Sequence, residues 1–140
     1  MQINFAHLCD YATVSREGKL SVLGIFSQIN GAQAPLVHPQ AYLAFELAIN
    51  YAEVGKPITI DIQIVDADGT KILGARVNGA IHAGTPVKPG DAPQIGQILA
   101  IQNLTLPRFG TYNVNFFLND RLAKQLDFRV VQNQPASPGS

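Results

Sequence analysis

Ile58-Thr59-Ile60-Asp61-Ile62-Gln63-Ile64 decides the fold: four isoleucines fall at every second position, with hydroxyl, carboxylate and amide groups between them. Successive side chains of a β-strand point to opposite faces, so this spacing gives one apolar face and one polar face. The same period recurs on both sides of the stretch. Leu43, Phe45, Leu47, Ile49 and Tyr51 precede it. Tyr112, Val114, Phe116 and Leu118 alternate with Thr111, Asn113 and Asn115, and Leu126, Phe128 and Val130 enclose Asp127 and Arg129. Helical periodicity is nearly absent. Strands that alternate this cleanly have one wet and one buried face, which predicts an all-β, two-sheet antiparallel sandwich of about eight strands.

The energetics favour stacked sheets over isolated hairpins. A buried side chain of this size contributes about 1.5–3 kcal/mol, against a backbone ordering cost of about 1–2 kcal/mol per residue. Several apolar faces packed together can offset that cost, and one hairpin cannot.

Turn residues divide the chain accordingly. Ser15-Arg16-Glu17-Gly18 separates a strand near 2–14 from one near 19–29, and Glu53-Val54-Gly55-Lys56-Pro57 separates the third strand from the fourth. Asp66-Ala67-Asp68-Gly69 reads as a tight turn, with Gly69 free to take positive φ. Pro107-Arg108-Phe109-Gly110 and Asn119-Asp120 mark the last reversals. Residues 1–131 form the expected domain, and 132–140 lack an apolar pattern and read as a flexible tail. Residues 31–40 (with Pro35 and Pro39) and 82–93 (with Pro86, Pro89 and Pro93) are the two longer connections, expected at opposite ends of the sandwich. The 82–93 loop is either a binding loop or a passive crossover between sheets.

Composition narrows the function classes. The 140 residues carry ten Lys and Arg against ten Asp and Glu, without the basic excess usual in nucleic-acid binding. Neither nucleic acid nor an anionic membrane is an expected partner. Charged residues make up 14%, below the roughly 25% of average domains. A sparsely charged surface suits burial against another subunit, or else reflects a preference for amides. One cysteine, Cys9, and no signal-like N-terminus point to a reducing, cytoplasmic setting.

Two resemblances add to this. Ile101-Gln-Asn-Leu-Thr-Leu-Pro-Arg-Phe-Gly-Thr-Tyr-Asn-Val114 has a Gly110-x-Tyr112-x-Val114 core with Leu104 upstream. It resembles the tyrosine corner of immunoglobulin-like sandwiches, in which the phenol bonds back to upstream backbone. Val114 stands where true immunoglobulin domains place a cysteine, so the resemblance implies an immunoglobulin-like sandwich without the disulfide. Phe5-Ala6-His7-Leu8-Cys9-Asp10-Tyr11-Ala12 followed by Gly18-Lys19-Leu20-Ser21-Val22-Leu23-Gly24-Ile25-Phe26 resembles the start of a family of small bacterial proteins of unknown function. That family opens on an "ADYA … GKLNVLG" pattern. The likeness implies the fold over roughly residues 3–130 and, with no assigned activity, lends no site residues.

No catalytic, cofactor or metal constellation emerges. His7 and Cys9 share a strand face but stand about 6.5–7 Å apart along it, beyond the approximately 2.6–3.2 Å that thiol activation needs, and Asp10 points the other way. Cys9 reads as a buried structural residue. His7, His38 and His82 are dispersed. Asp66 and Asp68 with Gly69 lack the later ligands of a calcium loop, so Asp66 reads as bonding its own turn. Phe117 and Tyr42 fall on outward faces and are the candidate interaction residues; Tyr112, Gly110 and Gly69 are candidate structural ones. The sequence therefore points to a non-enzymatic interaction or structural module, self-associating through a sheet face or edge. The alternative is a small-ligand or glycan binder that uses the 82–93 loop.

Overall fold

A computed structural model of the chain describes residues 1–53, 55–80 and 94–133. Nine strands occur among them: β1 (Gln2–Val14), β2 (Leu20–Ile25), β3 (Gln28–Gly31), β4 (Leu36–Ala48), β5 (Pro57–Val65), β6 (Lys71–Ala80), β7 (Gln94–Leu106), β8 (Gly110–Leu118) and β9 (Arg121–Gln132), with a short 3₁₀ turn at Tyr51–Glu53. They form two sheets, ordered β2-β1-β4-β7 and β3-β9-β8-β5-β6. All pairings are antiparallel except β3 with β9. The fold is thus an all-β, immunoglobulin-like sandwich of two sheets.

The period-two residues meet between the layers. Ile58, Ile60, Ile62 and Ile64 of β5 are buried with Tyr112, Val114, Phe116 and Leu118 of β8, and Leu43, Phe45 and Leu47 of β4 face them. The Phe45 and Phe116 rings meet across the sheets at 5.3 Å between centroids. The two-residue turn Asn119-Asp120 has φ of 49° and 66°, the conformation that matches the twist of a tight hairpin.

The strand expected over 19–29 is two strands in different sheets. Phe26 N–H donates to Leu8 O at 2.9 Å, while Arg129 N–H donates to Ser27 O at 2.9 Å. Two consecutive residues therefore bond to opposite layers, and the chain steps across the sandwich between them. An alternating apolar run carries no mark of such a step.

The long connection expected over 31–40 is also shorter, because β4 begins at Leu36. Pro39 fits there for a physical reason. β1 leaves β4 after Cys9 pairs with Tyr42, so Leu36–Ala41 pairs only with β7. A proline without N–H is tolerated where one side of a strand has no ladder to complete. At its C-terminal end β4 stops at Ala48, and Tyr51 lies in the 3₁₀ turn rather than in the strand. Glu53 organises this turn: its Oε1 accepts Asn50 N–H at 3.1 Å and pairs with the Met1 amine at 2.7 Å.

Candidate interaction surface

Past Cys9, β1 pairs with β2 instead of β4. This hairpin turns back over the outer face of the four-stranded sheet. Its tip reaches β7, where a Cβ on Gly96 would lie 3.2 Å from Gly18 O and 3.3 Å from Leu20 Cβ. Cys9, Ala12 and Ala44 pack beneath it with Leu20, Val22 and Tyr42, as a second, smaller core. Small side chains at Ala44 and Gly96 make the close approach possible, since any larger group there would lift the hairpin.

With one face of the hairpin so buried, the other meets solvent. Tyr11 and Leu23 are register partners, as are Cys9 and Ile25. Tyr11 is 49% exposed, Leu23 67% and Ile25 58%. These adjacent apolar side chains lie on paired strands, and Leu20–Ile25 contains no charged residue. Tyr11 meets the Tyr42 ring edge-on at 5.3 Å, and the Tyr42 hydroxyl accepts a hydrogen bond from Gln40 Nε2 at 3.0 Å. Tyr42 is half-buried and so forms the rim of this surface, where its outward placement had made it a candidate. Phe117, the other candidate, is half-buried on the outer face of the five-stranded sheet, opposite Asp61. The two therefore stand on different sheets and do not share a surface.

Sequence reading missed Tyr11, Leu23 and Ile25. Two signals pointed to them: apolar residues at both parities within 20–25, and small residues at outward positions of β4 and β7.

Nucleophilic chemistry finds no support at the N-terminal cluster. Cys9 is fully buried and its thiol donates to Tyr42 O at 3.4 Å. Burial raises its pKa, and the nearby Asp10 carboxylate raises it further, so the thiol stays protonated and unreactive. The Asp10 carboxylate lies against Gly24. His7 stacks with Phe5 at 5.6 Å. It borders a cleft of about 210 Å³ between β1 and β9, floored by Leu8, Val114, Leu126 and Phe128.

The other polar cluster is structural. Asp66 Oδ1 accepts N–H groups of Asp68 and Thr70, both at 2.9 Å, closing the β5–β6 turn in which Gly69 takes φ of 83°. Asp66 Oδ2 and Asp68 Oδ2 share Arg108 Nη2 at 2.9 and 3.0 Å. The Thr70 N–H chiefly holds the Asp66 carboxyl below the ordinary range; partial burial opposes this, and Arg108 and the Asp68 N–H assist it. Across the same corner, the Tyr112 hydroxyl donates to Arg108 O at 2.6 Å and accepts Arg108 N–H at 3.1 Å. Gly110, with φ of 139°, starts β8. Both carboxylates are engaged by Arg108, and among the described residues no group of three His, Cys, Asp or Glu could hold a metal ion.

The 82–93 connection, expected as either a binding loop or a passive crossover, lies with His82 outside the described residues. Its flanks are placed: Ala80 pairs with Pro57 and Gln94 with Ala48, at the end of the sandwich opposite the 32–35 connection. No helix among the described residues is long and apolar enough to cross a membrane.

The family model described as "Family of unknown function (DUF6941)" matches residues 4–131. No curated protein matches the chain. Among solved structures, an immunoglobulin-like protein from Pseudomonas aeruginosa superposes with a TM-score of 0.42 and 15% identity, covering 93% of this chain and 95% of that one. A β-glucuronidase from glycoside hydrolase family 2 gives 0.39 and 21%, covering 67% of this chain and 10% of that one. The alkylpurine DNA glycosylase AlkC from Pseudomonas fluorescens, bound to DNA containing an abasic site analog, gives 0.40 and 17%, covering 89% and 30%. The chain spans a tenth of the length of the glucuronidase and under a third of the glycosylase. At these scores none of the three bears on function.

Proposed function

Since the chain belongs to DUF6941, a family of unknown function that it matches over residues 4–131, we propose that it is a non-enzymatic interaction module. Its contact surface is the solvent face of the β1–β2 hairpin. One observation carries this reading: Tyr11, Leu23 and Ile25 stand side by side in solvent on a hairpin whose opposite face is already packed. Apolar side chains scattered singly over a surface need no explanation, but neighbours on paired strands form a contiguous patch of the kind that marks contact sites.

The partner class is protein, with self-association the first case. Equal numbers of positive and negative side chains leave no net repulsion between copies at neutral pH. Light scattering across a micromolar concentration series tests the reading. The mass should rise above the 15.1 kDa of one chain, and Leu23→Lys should abolish the rise without lowering the melting temperature. A wild-type protein that stays monomeric at high micromolar concentration overturns self-association through this face.

A further inference from the structure

We propose that two copies of this chain join edge to edge through β2, in antiparallel register about a twofold axis at Leu23; this rests on the interaction reading above and specifies its geometry. β2 ends the four-stranded sheet, so among the described residues its outer side has no strand partner. Exposed edges are templates for pairing, and soluble proteins usually guard them with charge or proline. Leu20-Ser21-Val22-Leu23-Gly24-Ile25 has neither.

The occupant follows from symmetry and charge. A strand edge is complementary to its own copy in antiparallel alignment, and a twofold contact closes without leaving a second sticky surface. With Leu23 opposite Leu23 of the second copy, Ser21 faces Ile25, and the register passes through Gly24, which takes φ of 68° rather than an extended value. The two exposed Tyr11–Leu23–Ile25 clusters then become one surface across four adjacent strands.

The hairpin is polarised to suit this alignment. Arg16 and Lys19 sit at its tip with Glu17, and Asp10 lies at its base against Gly24. Antiparallel pairing brings each basic tip toward the other copy's acidic base. A parallel arrangement would set tip against tip, bringing Arg16 and Lys19 of the two copies together.

Two measurements test the geometry. Residues directly opposite in an antiparallel pair have Cα atoms about 4.5–5.5 Å apart, inside the approximately 4.4–6.8 Å window of a disulfide. Leu23→Cys should therefore cross-link to its own copy under mild oxidation. Val37→Cys, at an exposed position of β4, serves as the collision control and should react roughly tenfold or more slowly. In wild-type protein, amide exchange within 20–25 should slow as concentration rises, while exchange in exposed turns stays constant.

The outcomes separate the two readings. A mass that doubles without faster cross-linking at Leu23 or protection of β2 overturns edge pairing and leaves association through the apolar face standing. A mass that never rises overturns both. Equal cross-linking at positions 23 and 37 also overturns the proposed register.

Discussion

Replacing Tyr112 with Phe isolates a single hydroxyl at the β7–β8 corner. The ring is 1% exposed and stacks on Phe128 at 5.3 Å with planes 14° apart, and Phe preserves that packing. What is lost is one bond donated to Arg108 O and one accepted from Arg108 N–H, at 2.6 and 3.1 Å. Each contributes about 0.5–1.5 kcal/mol net. Both backbone groups belong to a residue whose side chain is 62% exposed, so water can replace part of what the phenol supplied. The expected loss is then ~1–2 kcal/mol, which lowers the melting temperature of a domain this size by roughly 3–7 °C. Urea unfolding should show a lower midpoint at unchanged slope, because the buried surface is the same. Exchange at the Arg108 amide should accelerate more than at Val114, in the middle of β8. A variant that melts within about a degree of wild type would refute the view that this hydroxyl fastens the corner.

Gly96→Val places methyl groups where the hairpin tip rests, so exchange across 15–24 should accelerate and the protein should lose about 1–3 kcal/mol; unchanged exchange there would show that the tip is not seated on β7. Asp66→Ala removes the acceptor of two turn amides and should cost about 1–3 kcal/mol by chemical denaturation, with Asp66→Asn costing less because one side-chain oxygen remains. The Asp66 carboxyl is held below its unfolded value, near about 3.9, so its contribution is present above that pH and fades as acid is added through the folded value. Wild-type stability should therefore fall more steeply below about pH 4 than that of Asp66→Asn, and parallel acid titrations of the two would count against this linkage.

The layers of the sandwich were legible in particular residues. Ile58, Ile60, Ile62 and Ile64 read as one buried face and are one, because an antiparallel strand with one wet side writes its orientation into every second letter. The reversal at Asn119-Asp120 was readable for a related reason: few residues accept positive φ at two consecutive positions. The step between sheets at Phe26-Ser27 was not, since it is decided by which edge each peptide group meets. Prolines at 35 and 39 suggested a connection through position 40, but a strand with an unpaired side tolerates what a central strand rejects. The contact surface was the least legible part. Alternation assigns residues to inside or outside and has no term for a hairpin folded back over an outside face. That arrangement makes Ala12 inner to a second core and Leu23 outer to everything.

The parallel contact of β3 with β9 has a consequence during synthesis. Gln28–Gly31 leaves the ribosome roughly a hundred residues ahead of the segment it must sit beside; at about 5–20 residues per second, that means a delay of ~5–20 s. Until then Ile29 has no shelter, and neither sheet can be locked to the other at that seam. β5, β6 and β8 pair without it, but the β3 seam must wait for the closing segment, and truncations that remove residues 129–132 should yield chains captured by chaperones rather than a smaller folded product.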